Sequence, residues 1–219
     1  MSPADTDPPR TIVKVCGLTR LQDAHEARKA GADWLGFIVH GDSPRLVRPE
    51  YMSNVMTTLP GMIGVAVMVD VAPDEALALA RRAGAKRVQL HRVDPLGWPQ
   101  DFPLPVTIVI PTAADGSLGG PLPHPQHLLM LDTAHAGKAG GTGERFAWHA
   151  VAPLAATRPL ILAGGLDASC VAEALEQARP FGVDASSRLE SEPGLKDLDK
   201  LWEFVTAVRE WDARQLHRA

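Results

Sequence analysis

The chain has few cysteines, few aromatic residues and no excess of positive charge. It contains two cysteines, one tyrosine and 5% aromatic residues among 219 residues. Two cysteines are too few for a disulfide framework, which predicts a reducing, cytoplasmic environment. The formal net charge of −4 provides no basic surface of the kind that binds nucleic acid. We therefore expect no nucleic-acid partner.

Long apolar stretches and cofactor-binding patterns are also missing. No apolar run reaches the roughly 18 residues of a membrane span, so no membrane association is expected. Residues 1–10 are polar and proline-rich, which predicts a disordered tail rather than a secretory signal. The sequence has neither a G-x-G-x-x-G or Walker pattern nor a Cys/His spacing suited to zinc. We predict that the protein uses no cofactor and no metal.

Eight short, continuous apolar runs recur along the chain, most of them followed by a helix-like segment. Continuous runs are typical of parallel strands that are buried on both faces. Eight runs leave about 27 residues per unit, which suits a (βα)8 barrel, whereas an open doubly wound sheet usually stops at about five or six strands. We predict one α/β domain over residues 11–219, a (βα)8 TIM barrel with strands at 12–15, 34–39, 63–69, 87–90, 106–110, 128–131, 160–162 and 182–185.

The segments between the runs carry helix signals, with one exception. Thr19 and Gln22 form a capping-box pattern at the start of the first helix. Residues 111–127 are rich in glycine and proline, which predicts that the fifth βα unit lacks a regular helix. The last long helix is predicted over residues 197–210, with one apolar face formed by Leu198, Leu201, Trp202, Val205 and Val208.

Cys16 directly follows the first predicted strand. Active sites of (βα)8 barrels lie at the carboxyl ends of the strands, so a thiol here is placed to act as a base if Lys14 or another cation lowers its pKa. The competing interpretation is a small buried apolar side chain. The second cysteine, Cys170, lies in a predicted helix among apolar neighbours, and we interpret it as structural.

Asp132 lies at the end of the sixth apolar run, where a charge is unusual. A half-buried carboxyl has a raised pKa and can donate a proton near neutral pH. The competing interpretation is that Asp132 caps a loop or pairs with a nearby lysine.

Other candidates follow from their positions after the strands. The planar guanidinium of Arg45 suits a carboxylate, although a solvated surface arginine is the alternative. Loops after the last strands of such barrels frequently bind phosphate, and here they offer backbone amides and hydroxyls. The candidate phosphate-binding residues are Gly141, Thr142, Gly143, Gly164, Gly165, Ser186 and Ser187; Lys14, Gln89 and His91 are further candidates for substrate binding.

Seven segments, in this order, resemble the phosphoribosylanthranilate isomerase family of tryptophan biosynthesis. The resemblance runs from about Val13 to Arg209, and the ordered set is more specific than any single motif. The segments are VKVCGLTRLQDA, GADWLGFIVHGDSPRLVRPE, VQLH, LLMLDT, KAGGTGERFAW, LILAGGLDASCVAEAL and PFGVDASSRLESEPGLKD.

The resemblance implies a reaction and a role for individual residues. It implies an aldose–ketose isomerase that acts on a phosphosugar without a cofactor. Cys16 would be the general base and Asp132 the general acid, and Arg45 would face the anthranilate carboxylate. The glycines and serines named above would surround the phosphate. The sequence leaves open whether the protein is a monomer or a homodimer.

Three positions depart from the family pattern. Arg188 and Arg92 stand where the family usually has glycine, and the fifth unit has the Gly/Pro-rich segment where the family has a helix. Two other interpretations stay open. One is a related phosphosugar isomerase of histidine biosynthesis, including a bifunctional form, although those barrels have a carboxylate at the position of Cys16. The other is a non-catalytic or substrate-shifted paralogue that binds a phosphosugar.

Overall fold

The computed structural model describes residues 10–133 and 147–217, and eight parallel strands in it close into a barrel. Each strand pairs with the next along the chain, and the last strand pairs with the first. The eight apolar runs are all strands, so the predicted (βα)8 fold is confirmed. The strands are β1 (Ile12–Val15), β2 (Trp34–His40), β3 (Ile63–Val69), β4 (Arg87–His91), β5 (Val106–Thr112), β6 (Leu128–Thr133), β7 (Leu160–Leu162) and β8 (Gly182–Ala185).

Helices cover the outside of the barrel, and a small hairpin follows β8. The helices are α1 (Leu21–Ala30), α2 (Pro49–Thr57), α3 (Pro73–Arg82), α4 (Trp148–Ala155), α5 (Val171–Ala178) and α6 (Leu198–Leu216). A short 3-10 helix (Ser187–Leu189) leads from β8 into the antiparallel strands β9 (Glu190–Glu192) and β10 (Leu195–Lys196). No helix within the described ranges is long and apolar enough to cross a membrane.

Side chains alternate along each strand between two apolar clusters. Leu35 and Phe37 belong to the larger cluster, which joins the strands to the helices. Trp34 on the same strand belongs to a smaller cluster with Val65 and Val67 of β3, which fills the inside of the barrel. Successive side chains of a strand point to opposite faces, so this alternation separates the interior from the helix layer.

Two βα units lack a helix, whereas the sequence predicted only one. The described segment between β5 and β6 has none, as predicted, but the segment between β4 and β5 has none either. Residues 92–105 contain four prolines, and each removes an N–H donor that a helix would need. Trp98 replaces part of the missing helix, because it is buried in the core and its ring centroid lies 5.5 Å from that of Phe102.

The predicted capping box is wrong. Helix α1 begins after Arg20, and no side chain accepts a hydrogen bond at its N-cap. The Thr19 hydroxyl instead donates to the carbonyl oxygen of Gly194, in the β9–β10 hairpin. This long-range contact satisfies the hydroxyl and ties the loop after β1 to the hairpin after β8.

The last helix is longer than predicted, and its apolar face is shifted. Helix α6 ends at Leu216 instead of residue 210, and the Asp197 side chain caps it by accepting from the N–H groups of Asp199 and Lys200. Trp202, which was predicted to face the core, is 40% exposed, while Phe204 is fully buried. The sequence pattern therefore placed the helix correctly but assigned the wrong aromatic residue to the core.

Arg209 of α6 fixes the position of the first strand. Its Nη2 donates to Asp33 Oδ2 at 2.7 Å, and its Nη1 donates to the carbonyl oxygen of Thr11 at 2.7 Å. Asp33 Oδ2 in turn accepts from the N–H of Val13 at 2.8 Å. The strand that carries Lys14 and Cys16 is thus held from the side of the last helix.

Candidate active site

A pocket opens at the carboxyl ends of the strands. It brings together seven of the residues predicted from the sequence, which come from five different strands or the loops after them. These residues are Arg45, His91, Asp132, Gly164, Gly165, Ser186 and Ser187. The pocket is also lined by Asp184 and Arg188, neither of which was assigned a role from the sequence. Its position agrees with the rule that (βα)8 barrels carry their sites at this end.

Three titratable side chains lie at the junction of β1 and β8: Asp184 lines the pocket, whereas Lys14 and Cys16 are not among its lining residues. Lys14 and Asp184 are register partners across the two strands, and Lys14 Nζ donates to Asp184 Oδ1 at 2.9 Å. Cys16 is the next residue on the same face of the first strand, and its N–H donates to the carbonyl oxygen of Ala185, a pocket residue. All three side chains are buried.

Gly36 of β2 makes room for this group. A Cβ at residue 36 would lie 2.9 Å from Cys16 Sγ, 3.0 Å from Lys14 Nζ and 3.1 Å from Cys16 Cα. Carbon atoms in van der Waals contact are about 3.5–4.0 Å apart, so only a residue without a side chain fits here. The absence of a Cβ therefore lets the ammonium group and the thiol share one space beside the β2 backbone.

The buried charges affect one another strongly. Burial lowers the pKa of Lys14, but the Asp184 carboxylate and the Cys16 thiol outweigh it, so the pKa is raised and Lys14 stays positively charged. Burial raises the pKa of the Cys16 thiol, and the charge of Lys14 opposes this effect only in part. The thiol is therefore protonated at rest, beside a permanent positive charge that stabilises its thiolate.

Asp132 and His91 face the same pocket, and burial shifts their pKa values in opposite directions. Burial, reinforced by Asp184, outweighs the effect of Lys14 and raises the pKa of Asp132 to about 6. Burial lowers the pKa of His91 to about 4, so its ring is neutral near pH 7. The buried Gln89 amide nitrogen lies 3.0 Å from His91 Nε2, where it donates to the neutral ring. Asp132 can therefore hold a proton close to neutrality, whereas His91 does not.

Arg45 reaches the pocket through an ion pair that the sequence did not predict. Its Nε and Nη2 bind both oxygens of Glu190, with distances of 2.8 Å from Nε to Oε1 and 2.6 Å from Nη2 to Oε2. Lys196 Nζ donates to the same carboxylate, at 2.8 Å from Oε1, and to the carbonyl oxygen of Ser186. The carboxylate of Glu190 thus joins the loop after β2 to the hairpin after β8.

The predicted phosphate-binding residues are partly within the described chain. Gly164 and Gly165 have positive φ angles of 86° and 67°. A Cβ on Gly164 would lie 2.5 Å from the backbone nitrogen of Thr133, so a side chain is excluded there. Ser186 and Ser187, which follow the neighbouring strand β8, line the same pocket. The other three predicted residues, Gly141, Thr142 and Gly143, lie outside the described residues.

The charged residues that sequence reasoning missed include Asp184 in the pocket lining, and Glu190 and Lys196, which lie behind Arg45. Asp184 interrupts the apolar strand GVDA, which is the same signal that singled out Asp132. Glu190 and Lys196 lie in the segment PFGVDASSRLESEPGLKD, which carries part of the family resemblance, but nothing in that segment shows that the Glu190 carboxylate meets both Lys196 and Arg45. Within residues 10–133 and 147–217, no group of three or more His, Cys, Asp or Glu side chains is arranged to hold a metal ion.

The closed parallel barrel and the titratable pocket at its carboxyl ends place the chain among the (βα)8-barrel proteins. The model of the family "N-(5'phosphoribosyl)anthranilate (PRA) isomerase" matches residues 13–207. The chain belongs to this family. The prediction of such an isomerase, which is an enzyme of tryptophan biosynthesis, is therefore confirmed.

Relatives and solved structures agree with this assignment. The chain is 39% identical to the N-(5'-phosphoribosyl)anthranilate isomerase of Geobacter sulfurreducens over 201 residues, which cover 91% of this chain and 98% of that protein. The crystal structure of the phosphoribosylanthranilate isomerase from Thermotoga maritima is similar with a TM-score of 0.77 and 28% identity, over 91% of this chain and 99% of that one. A phosphoribosylanthranilate isomerase in complex with reduced 1-(o-carboxyphenylamino)-1-deoxyribulose 5-phosphate matches with a TM-score of 0.74 and 27% identity, over the same shares of the two chains.

The space beside Gly36 provides a first test of the site. If Cys16 acts as the predicted base, we expect Gly36→Ala to lower isomerase kcat by about 100-fold, because a displacement of about 1 Å in a reacting group has effects of this size. The new Cβ would push the Cys16 thiol away from the Lys14 ammonium. Gly120→Ala is the matched control, because a Cβ there meets nothing within 4 Å. Steady-state turnover of both variants measures the difference, and an unchanged kcat in Gly36→Ala would contradict the expectation.

Proposed function

We propose that the chain isomerises N-(5'-phosphoribosyl)anthranilate by general acid–base catalysis, with Asp132 as the acid and Cys16 as the base. The observation that carries the proposal is that the two groups lie in different environments: Asp132 lines the pocket, and Cys16 is buried beside Lys14 at the junction of β1 and β8. The carboxyl of Asp132 has its pKa raised to about 6, and the Cys16 thiol lies beside a buried ammonium group. Two titratable groups held in different environments are a common arrangement for an acid and a base.

The proposed reaction begins with opening of the sugar ring. Asp132 gives its proton to the furanose ring oxygen, the bond from that oxygen to C1' breaks, and the nitrogen lone pair forms an iminium ion. The Cys16 thiolate then removes the proton from C2', and the electrons of that bond neutralise the iminium nitrogen to give an enolamine. Tautomerisation yields 1-(2-carboxyphenylamino)-1-deoxyribulose 5-phosphate. The substrate nitrogen accepts the electrons, so the proposal invokes no cofactor.

The fixed charge of Lys14 supplies the electrostatic part of this mechanism. Its ammonium group stays protonated because Asp184 accepts a hydrogen bond from it. A thiolate formed at Cys16 is therefore stabilised by a charge that needs no rearrangement during the reaction. Lys14 and Gln89 are buried and are not among the lining residues of the pocket, and we propose that they act on the substrate through Cys16 and His91, respectively.

We propose that the rest of the pocket binds the two ends of the substrate. Arg45 would bind the anthranilate carboxylate, which matches the planar fork of a guanidinium group. The phosphate would be bound by the loop residues Gly164, Gly165, Ser186 and Ser187, together with residues 141–143, and Arg188 also lines the pocket. The related enzyme that was solved with a reduced carboxyphenylamino phosphosugar supports this choice of ligand. The cytoplasmic location and the monomeric or homodimeric state stay predictions.

The first experiment is a continuous fluorescence assay with freshly generated phosphoribosylanthranilate. We expect saturable consumption of the substrate by the purified protein. Calorimetric titration with the reduced product analogue, carried out in parallel, measures binding without turnover. Binding with no turnover by a well-folded protein would contradict the proposed reaction and would favour a non-catalytic phosphosugar-binding protein.

A further inference from the structure

One buried carboxylate at the pocket carries two cations. Glu190 binds Arg45 through three hydrogen bonds, with distances of 2.6–3.1 Å, and Lys196 through one of 2.8 Å. The side chains of Glu190 and Lys196 are 4% and 0% exposed, and that of Arg45 is 15% exposed. Arg45 is thus the member of this group that solvent or a ligand reaches.

The charges of this group do not cancel. One carboxylate and two protonated cations leave a net charge of +1. The two cations outweigh the effect of burial and lower the pKa of Glu190, while burial lowers the pKa of Lys196 and Glu190 opposes that effect. Without Lys196, Glu190 would neutralise Arg45 and would repel a second carboxylate. With Lys196 present, Glu190 can hold Arg45 while the group still attracts an anion.

The hairpin that carries Glu190 is itself anchored on both sides. The N–H of Lys196 donates to Asp23 Oδ2 at 3.2 Å, and Arg20 Nη2 donates to the carbonyl oxygen of Lys196 at 3.2 Å. From the other side, Lys200 Nζ donates to the carbonyl oxygen of Glu190 at 3.0 Å. The backbone around Glu190 is therefore held in place, so its carboxylate can hold the longer side chain of Arg45 in one position.

We propose that Glu190 is a positioning residue that holds the guanidinium group of Arg45 for the carboxylate of the substrate. Glu190 occupies the Nε–Nη2 edge of Arg45, so a second carboxylate would bind at the Nη1–Nη2 end. Lys196 offsets the negative charge of Glu190. The inference rests on the proposed function, and it makes Glu190 a determinant of specificity for substrates with an aromatic carboxylate.

The test compares two ligands, one with and one without the carboxylate on the aromatic ring. Calorimetry measures the Kd of the reduced carboxyphenylamino phosphosugar and of its phenylamino counterpart for the wild-type protein and for Glu190→Gln. We expect the Kd of the carboxylated ligand to rise about tenfold in the variant, which is the usual effect of one charged hydrogen bond. The Kd of the ligand without carboxylate should stay the same. In turnover assays, KM should rise by a similar factor while kcat stays within about threefold, because the carboxylate is bound equally before and during the reaction.

A second carboxylate–arginine pair provides the control. Glu50 accepts a hydrogen bond from Arg82 Nε at 2.8 Å, but both side chains are more than half exposed and neither lines the pocket. We expect Glu50→Gln to leave both Kd values unchanged. Thermal unfolding followed by circular dichroism establishes that each variant is folded. If Glu190→Gln does not fold, Glu190→Asp replaces it, because aspartate keeps the charge but is one methylene shorter, and the same selective loss is expected.

The outcomes separate this inference from the proposed reaction. An equal rise of both Kd values in Glu190→Gln would overturn the inference, because Glu190 would then support the pocket as a whole. No rise in either value would overturn it as well, and so would failure of the wild-type protein to bind the carboxylated ligand. Wild-type protein that binds this ligand selectively but does not turn over the substrate would contradict only the reaction, and the selective effect of Glu190→Gln would still decide the inference.

Discussion

Replacing Cys16 with alanine is expected to lower kcat by about 1,000-fold or more, while the affinity for the reduced product analogue stays within about threefold. Alanine fills most of the space of the thiol but cannot accept the proton from C2'. Lys14 and Asp184 keep their hydrogen bond, so the pocket should retain its shape. The measurement combines the fluorescence assay with calorimetry of the same preparation.

Cys170 provides the matched control for this variant. It is the second buried cysteine, and it lies at the N-cap of α5, where its thiol contacts the backbone carbonyl groups of Gly165 and Asp167. We expect Cys170→Ala to keep kcat within about twofold, because it loses a thiol with no proposed chemical role. A Cys16→Ala variant with a kcat close to that of the wild-type protein would show that another group removes the proton.

The second large effect is expected for Asp132→Asn. The amide has the size of the carboxyl but cannot supply an acidic proton to the ring oxygen, so we expect kcat to fall by about 100- to 10,000-fold. The control is Asp70→Asn, at an exposed residue with a φ angle of 54°, a conformation that asparagine adopts readily. Asp70 should tolerate the change with no effect on kcat. Equal losses in the two variants would show that Asp132 has no special role.

The pH dependence of kcat/KM should report the ionisation of both Asp132 and Cys16. The active form needs a protonated Asp132 and a deprotonated Cys16, although Asp132 has the lower pKa. Below about pH 6 Asp132 is protonated, and the rate should rise with pH as thiolate forms. Between the two pKa values the gain of thiolate and the loss of protonated Asp132 cancel, so the rate should be flat. Above the raised pKa of Cys16 the rate should fall.

Asp132→Asn also tests the assignment of the break near pH 6. In this variant the residual rate should rise continuously toward the pKa of the thiol, because the group that causes the break has been removed. The phosphate of the substrate titrates in the same range, with a pKa of about 6, but it is the same for both proteins. A break that persists in the variant would therefore belong to the substrate and not to Asp132.

The strands could be predicted from the sequence because their signal is local. Each strand is buried on both faces, so it appears as a continuous apolar run whatever its neighbours are. The sequence wrongly predicted that Thr19 caps the first helix. Its hydroxyl instead donates to the carbonyl oxygen of Gly194, and this contact could not be predicted because Gly194 lies 175 residues away in the sequence. The absence of a helix after β4 could have been predicted, because four prolines fall within residues 92–105.

The candidate site shows the same division between local and long-range signals. Cys16 and Asp132 stand out because each ends an apolar run, and Asp184 carries a similar local signal in β8. Glu190 lies in a segment that resembles the family, but its pairing with Arg45, 145 residues earlier in the chain, cannot be predicted from that segment. Charges that are paired across the fold leave no pattern along the sequence, and the cation pair around Glu190 is therefore visible only in the structure.

In the proposed mechanism, the residues that convert the ligand and the residues that select it lie in different parts of the barrel. Cys16, Lys14 and Asp184 belong to the first group. All three belong to β1, β8 or the residue directly after a strand, inside a hydrogen-bonded wall that closes on itself. Arg45 and Glu190 lie in the loop and the hairpin at the rim. Mutations at the rim can alter which aromatic group is accepted without moving the wall. We therefore expect substitutions at the rim to change ligand preference while the groups proposed to transfer protons stay in place.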